Sequence, residues 1–198
     1  MDYKDALKEL TEKDITRYIR NLHERLFVNL EDKYDEKRGG LYRDSSVRLS
    51  GTNVSTADPR FIPQLMDNLS WRILEILKKN ANGELSNSEY IDKINECIYE
   101  MIRMQPFGDG NKRTSRLISN ILYQEKGIPF VLLPVSLWNE YVDAWKSNDI
   151  KDYNSLMHRL ILESYSYFYG DQSVNEAVVS KTKSEKIINA NIAKKSKH

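Results

Sequence analysis

Acidic, basic and amide side chains are concentrated around two glycines in residues 105–116, which read QPFGDGNKRTSR. This segment lies between two stretches with helical periodicity, one ending near Met104 and the other beginning near Asn111. Gly108 and Gly110 allow the connecting backbone to follow a tight path. Because the first N–H groups of a helix have no partner within it, and the positive end of its dipole lies there, this loop and helix start predict an anion site.

The charged side chains of this segment suit a polyphosphate. Arg113 and Arg116 are neighbours on one helix face, and guanidinium groups match phosphate oxygens in bidentate geometry. Asp109 offers a hard oxygen ligand where Mg²⁺ would bridge it to phosphate oxygens. Basic residues such as Lys112 at a helix N-terminus oppose the dipole, which favours a bound anion. An exposed helix start with scattered charge is the alternative.

The elements around this segment are predicted to be mainly helical. Apolar residues recur at helical spacing in residues 15–26, 65–76, 91–101, 117–122, 137–145 and 153–168. One stretch differs, because Leu41 to Ser50 lies between two glycine turn signals and its apolar residues Val47 and Leu49 alternate. This alternation predicts a short strand or hairpin.

Composition excludes several classes of protein. The chain has 198 residues, 40% hydrophobic and 30% charged, which fits one domain or one domain with a small appendage. A net charge of +1 argues against a general nucleic-acid binder. The single cysteine, Cys97, excludes a disulfide framework, and the wide separation of His23, His158 and His198 argues against a two-histidine metal motif. Without a long apolar run or a signal-peptide layout, the sequence predicts a cytoplasmic protein.

Residues 105–116 resemble the signature of the Fic (filamentation induced by cAMP)/Doc family, H-x-F-x-[D/E]-G-N-[G/K]-R-x-x-R. The positions that match in register are Phe107, Asp109, Gly110, Asn111, Lys112, Arg113 and Arg116. Upstream, LYRDSSVRLSG resembles the family's β-hairpin "flap", and FIPQLMDNL resembles the helix after it.

The resemblance implies a mainly α fold, a Fic-type helical bundle with a short β-hairpin flap at residues 41–51. The Fic domain would cover residues 40–165, with the motif at 105–116. Residues 1–39 would form a helical segment packed on the core, and residues 166–198 a helix end followed by a basic tail.

Members of the family usually transfer AMP from Mg-ATP to a hydroxyl group of a target protein. By the resemblance, Asp109 would bind Mg²⁺, and the amides of residues 108–112 with the Asn111 side chain would form an anion hole. Arg113 and Arg116 would hold the outer phosphates. The residues that would contact ATP are Gly108, Gly110, Asn111, Lys112, Arg113 and Arg116.

The family's motif histidine is Gln105 here. In the family that histidine takes the proton from the target hydroxyl. A glutamine amide has no pKa near neutral pH, so it cannot act as a general base, a role typically worth about 10²–10⁴ in rate. His23 and His158 are distant in sequence. The resemblance therefore predicts a domain that binds nucleotide and Mg²⁺ but transfers AMP poorly or not at all.

Several alternatives stay open at this point. Activity would persist if the nucleophile needed no base, if a substrate phosphate took the proton, or if Gln105 were an engineered residue. Lys112 resembles the Doc branch, whose members phosphorylate, whereas Arg116 favours the adenylylating orientation. A catalytically inactive nucleotide-binding module is a second interpretation, and nucleic-acid binding through the lysine-rich tail is a weaker third.

Partners follow from the same resemblance. Residues 43–49 of the flap would pair with an extended segment of a target protein by strand addition. The family's inhibitory pattern [S/T]-x-x-x-E-[G/N] has no match in either flank. This leaves room for a separate antitoxin or regulatory chain that supplies the inhibitory glutamate, and for a homo-oligomer.

Overall fold

A computed structural model of the protein describes residues 3–27, 39–49 and 54–169. Within these ranges the α-helices are α1 (Tyr3–Glu9), α2 (Glu12–Phe27), α3 (Ile62–Ala81), α4 (Asn87–Met104), α5 (Asn111–Gln124), α6 (Trp138–Lys146) and α7 (Ile150–Tyr169). Short 3₁₀ turns at Pro59–Phe61 and Val135–Leu137 precede α3 and α6. The mainly α prediction is confirmed, and every stretch with helical periodicity lies in one of these helices apart from its end residues.

The predicted flap is not a β-hairpin in the part of it that the structure describes. Residues 43–49 contain no strand, and Tyr42 forms an isolated antiparallel bridge with Phe107. Residues 50 and 51 lie outside the described residues. The bridge joins the start of the flap to the loop after α4 instead of joining two flap strands.

Backbone hydrogen bonds explain this difference. The N–H of Arg43 donates to the carbonyl of Pro106 at 3.0 Å, and the N–H of Ala57 donates to the carbonyl of Met104 at 3.4 Å. Arg43 of the predicted flap and Ala57, which follows the flap, therefore bond to the end of α4 and to the loop after it. The predicted flap also accepts a side-chain hydrogen bond from the segment after it, from the Thr56 hydroxyl to the carbonyl of Val47 at 2.8 Å.

The chain divides into two compact units that alternate along the sequence. Among the described residues, the first unit comprises those within 1–84 and 97–118, and the second comprises those within 85–96 and 119–169. The predicted boundaries at residues 40 and 165 stay a prediction, and the basic tail after Tyr169 lies outside the described residues.

In the first unit, α1 and α2 pack against α3. A proline at the start of α3 suits the first helical turn, where no N–H bond is lost. Its buried side chains recur every three or four residues: Ile62, Met66, Leu69, Ser70, Ile73, Leu74, Ile76 and Leu77. The Thr16 hydroxyl of α2 reaches Asp67 Oδ1 and Ser70 Oγ, each at 2.9 Å, which fixes the register of the two helices.

In the second unit, α6 packs against α7. Tyr141, Trp145 and Tyr153 are almost fully buried there. The Tyr90 hydroxyl donates to the carbonyl of Leu122 at 2.8 Å.

No helix of the described ranges has the length and apolar character needed to cross a membrane.

Candidate functional site

The predicted anion site begins at Gln105, which ends α4 in an unusual conformation. Its φ of 51° lies in the left-handed region, where a residue with a side chain is disfavoured. Its side chain is 8% exposed. The amide Nε2 donates to the carbonyl of Ile102, and Oε1 accepts a hydrogen bond from Asn111 Nδ2 at 3.1 Å. Both ends of the Gln105 amide are therefore committed to the protein's own groups.

Asn111 closes the loop of residues 105–110, here called the motif loop. Its Oδ1 accepts from the N–H of Phe107 at 2.9 Å, and its Nδ2 donates to the carbonyl of Phe107 at 2.8 Å. Asn111 is buried, and its carbonyl accepts from the Ser115 hydroxyl at 2.7 Å. The side chain predicted to line an anion hole thus also determines the shape of the loop.

The motif loop leads into α5 through a glycine in the left-handed conformation. Gly110 has a φ of 73°, which glycine adopts without steric cost. The N–H of Thr114 donates to the carbonyl of Gly110 at 2.9 Å, which is the first hydrogen bond of the helix. In any α-helix the first N–H groups point out of the helix start, and this is the geometry on which an anion site at this position depends.

The two residues predicted to hold metal and phosphate contact each other at the surface. Asp109 Oδ2 lies 2.9 Å from Arg113 Nη2, and these side chains are 67% and 43% exposed. Exposed ion pairs contribute little, about 0–1 kcal/mol, so separating these two side chains costs little. Gly108 is exposed, and Lys112 and Arg116 are half-buried.

His23 contacts the motif loop although it is distant in sequence. Its Nε2 lies 2.9 Å from the carbonyl of Asp109, and its Nδ1 accepts from the N–H of Gly40 at 2.9 Å. The ring stacks on Phe107 with centroids 3.8 Å apart and an interplanar angle of 16°. Because both nitrogens are engaged and the side chain is buried, His23 has no ring nitrogen available to act as a general base. Its only sequence signal was its position four residues after Ile19 on the apolar face of α2.

Gly40 holds the start of the flap against α2. A Cβ atom at this residue would lie 3.0 Å from the carbonyl oxygen of Arg20, and its φ is 72°. The Gly40 carbonyl accepts from Arg20 Nε at 2.7 Å. Only glycine fits such a close approach with a positive φ, which explains the Gly-Gly turn signal of the sequence.

Arg43 is a second residue that the sequence did not reveal as part of the site. It is buried, and its guanidinium donates to four backbone carbonyls, two of them at the junction of α4 and the motif loop. The acceptors are Gln105 at 2.6 Å, Ser45 at 2.7 Å, Met104 at 3.3 Å and Ala57. Its donors satisfy carbonyls that the end of α4 leaves without helical partners.

Tyr42 offers no alternative base. Its ring lies 5.6 Å from that of Phe107, centroid to centroid. Burial raises the pKa of its hydroxyl to about 12, so it stays protonated at neutral pH. Neither Tyr42 nor His23 therefore supplies a proton acceptor near Gln105.

The fold and this site define an α-helical protein whose glycine-bent loop opens into a helix N-terminus carrying two arginines. The profile of the Fic/DOC family matches residues 12–123, more than half of the chain. The chain therefore belongs to the Fic/DOC family.

Relatives and a solved structure agree with this assignment. Protein adenylyltransferase fic-1 of Caenorhabditis elegans is 29% identical over 179 residues, covering 89% of this chain and 31% of the relative. Protein adenylyltransferase Fic of Drosophila grimshawi is 29% identical over 134 residues, covering 67% of this chain and 24% of the relative. The structure of Fic-1 (residues 134–508) from C. elegans aligns with a TM-score of 0.51 at 21% identity, covering 93% of this chain and 43% of that one. The chain thus spans less than a third of these curated relatives.

Proposed function

We propose that this protein is a Fic-domain nucleotidyltransferase that binds Mg-ATP at the motif loop and transfers AMP to a target-protein hydroxyl at a strongly reduced rate. Membership of the Fic/DOC family and the likeness to protein adenylyltransferases support the chemistry. The observation that supports the reduced rate is the Gln105 side chain, which has no proton-accepting nitrogen and is held by Ile102 and Asn111.

The motif loop fits a magnesium ion bound together with phosphates. Magnesium is usually held by one or two carboxylates plus substrate phosphates, and it keeps several waters. Asp109 supplies one exposed carboxylate beside the start of α5. Across the described residues no cluster of three or more His, Cys, Asp or Glu side chains forms a self-contained metal site, in keeping with a metal that shares its ligands with the nucleotide. Bound there, the metal would neutralise phosphate charge.

Each residue of the motif loop would then have a defined task. The amides at the start of α5 would receive phosphate oxygens, and Arg113, released from Asp109, would turn to a phosphate. Arg116, one turn along the same face, would hold the next one. Buried Asn111 would keep the loop in shape, since it is tied to Phe107 at both ends of its amide.

The target would approach along residues 43–49. The Arg43 N–H already bonds to Pro106, so an added strand would pair from the residues after it. Strand addition recognises backbone groups more than side chains, so target identity does not follow from this segment. A regulatory chain that supplies a glutamate to Arg116 is part of the same proposal.

The test compares the protein with its Gln105→His variant in lysate containing Mg-ATP. Mass spectrometry would look for proteins that gain the mass of one AMP. Restoring a positioned base should raise the rate by about 10²–10⁴. A double variant, Gln105→His with Arg116→Ala, controls for labelling that does not use the site. Equal rates for the protein and Gln105→His would show that Gln105 does not impair transfer.

The same experiment separates two other functions. The commitment of Gln105 to Ile102 and Asn111 favours a non-catalytic nucleotide-binding module. That function is supported if neither protein labels a target while Mg-ATP raises the melting temperature of both. Adducts with the mass of phosphate would instead indicate the phosphotransferase that Lys112 suggests. A melting temperature that Mg-ATP leaves unchanged would contradict every nucleotide-dependent proposal.

A further inference from the structure

The peptide group between Asp109 and Gly110 has two sterically accessible orientations. Turning it over changes ψ of Asp109 and φ of Gly110 while leaving the rest of the chain nearly in place. Glycine accepts both positive and negative φ, so the observed φ of 73° is not imposed by local sterics. Contacts made by this peptide group must therefore help to select its orientation.

His23 provides that selection through its tautomer. Its Nδ1 accepts from the N–H of Gly40, so the ring hydrogen of the neutral imidazole sits on Nε2. Nε2 therefore donates to the carbonyl of Asp109 at 2.9 Å. The ring cannot tilt away, because it is 2% exposed and stacked on Phe107. Gly40 is itself held by Arg20 Nε at 2.7 Å.

The direction of one amide follows from this contact. In a trans peptide the C=O and N–H groups point in opposite directions, and the described residues contain no cis peptide. With the Asp109 carbonyl held toward His23, the Gly110 N–H points away from the buried imidazole. A reversed peptide would present a carbonyl dipole where the loop presents an N–H, and would repel an anion.

We infer that His23 is a positioning residue of the motif loop, which aims the Gly110 N–H for phosphate binding by holding the Asp109 carbonyl. The inference rests on the proposed function for its ligand, Mg-ATP. It does not depend on that function for its structural content, the orientation of one peptide group.

Two conservative variants separate the bonds of His23. In His23→Gln the side-chain amide reaches the level of Nε2, so it can donate to Asp109 but loses Gly40. In His23→Asn the amide reaches only the level of Nδ1, so it can accept from Gly40 but loses Asp109. The expected result is a Kd for Mg-ATP raised about tenfold in His23→Asn, equivalent to about 1.4 kcal/mol, and within about threefold of the unchanged protein in His23→Gln.

Nuclear magnetic resonance gives a readout that general destabilisation would not move. Without ligand, the Gly110 amide signal should shift or split in His23→Asn and stay in place in His23→Gln. The control is His158→Asn, which replaces the buried histidine bonded to Asp92 at 2.8 Å in the second unit. It should lower the melting temperature while leaving the Kd and the Gly110 signal unchanged.

If His23→Asn keeps the Gly110 signal, or if Kd rises in both His23→Asn and His158→Asn in proportion to lost stability, the inference is wrong. Should the unchanged protein fail to bind Mg-ATP, the proposed function fails, and the Gly110 signal alone decides the role of His23. Should His23→Asn not fold, a displaced Gly110 signal in His23→Gln would overturn the inference, and an unchanged one would support it.

Discussion

The side-chain amide of Asn111 donates to Oε1 of Gln105 over 3.1 Å, across the loop that the two residues bracket. Gln105 is thereby part of the loop's internal hydrogen bonding. Its Nε2 completes the arrangement by donating to the carbonyl of Ile102. Gln105 therefore contributes to the shape of the motif loop, and its amide offers no group that accepts a proton near neutral pH.

At residue 105 a glycine should give a more stable protein than an alanine, the reverse of the usual order within a helix. Both substitutions remove the two side-chain bonds, and we expect each to lose about 1–3 kcal/mol. Alanine keeps a Cβ at a φ of 51°, which costs the folded state about 1–2 kcal/mol. Glycine avoids that cost, but the greater entropy of its unfolded chain lowers the free energy of unfolding by about 0.4–1 kcal/mol. Urea denaturation should therefore find Gln105→Gly more stable than Gln105→Ala by about 0.5–1 kcal/mol. The reverse order would mean that residue 105 does not adopt the left-handed conformation.

Sequence periodicity identified six of the seven α-helices in the described residues, α2 to α7, but neither α1 nor what lies between the helices. The runs of α3 and α7 repeat apolar residues every three or four positions, and this local pattern suffices to predict a helix. The flap pattern at Val47 and Leu49 is equally local, but the backbone partners of its neighbours, Pro106 and Met104, lie far along the chain. A local pattern predicts extended backbone and cannot determine which acceptor that backbone will meet.

The sequence predicted only those site residues that lie together in residues 105–116. Phe107, one of the matching motif positions, is fully buried, and Gly110 has the positive φ that the predicted tight path uses. His23 and Arg43 reach the loop from residues 86 and 62 positions away. A histidine on an apolar helix face and an arginine in a predicted strand look like ordinary packing and solvent-exposed residues, so nothing in the sequence marks their acceptors.

Alanine substitutions at Gly40 and Gly83 form a matched pair that tests how closely the start of the flap approaches α2. Both have positive φ, 72° and 77°, but an added Cβ meets the Arg20 carbonyl at 3.0 Å at Gly40 and nothing within 4 Å at Gly83. We expect Gly83→Ala to cost about 1 kcal/mol from backbone strain alone. Gly40→Ala should cost about 2–3 kcal/mol, because the backbone must also move. Equal midpoints of chemical denaturation would contradict the close approach.

Arg43 should not tolerate lysine. Its planar guanidinium serves carbonyls of Gln105, Met104, Ser45 and Ala57 in several directions, which a single ammonium cannot reproduce. Because hydrogen bonds to charged groups contribute about 1.5–3 kcal/mol, Arg43→Lys should lose about 2–3 kcal/mol in urea denaturation.

The matched control for Arg43→Lys is Arg17→Lys, a change in an exposed ion pair with Asp14. It should leave the unfolding midpoint close to that of the unchanged protein. An Arg43→Lys midpoint equal to that of Arg17→Lys would show that one cation at residue 43 is sufficient.

Ionised Asp58 should contribute to the free energy of unfolding, and this contribution should be lost in acid. Hydrogen bonds from the Arg60 side chain, and secondarily from its backbone N–H, lower the pKa of Asp58 from 3.8 to about 2. Its oxygen caps the 3₁₀ turn Pro59–Phe61 that begins α3. A carboxyl whose pKa is lower in the folded state stabilises the fold above its unfolded pKa, and this contribution is lost as pH falls from about 4 to about 2.

Asp58→Asn keeps an oxygen that can cap the turn but cannot ionise. The difference in unfolding free energy between the protein and this variant should be constant above about pH 4 and shrink toward zero by about pH 2. Urea denaturation at a series of pH values measures it, and the carboxyl carbon of Asp58, followed by nuclear magnetic resonance, should titrate near the lower end of that window. A difference that stays constant down to pH 2 would show that the Arg60 contact does not hold Asp58 in its ionised form.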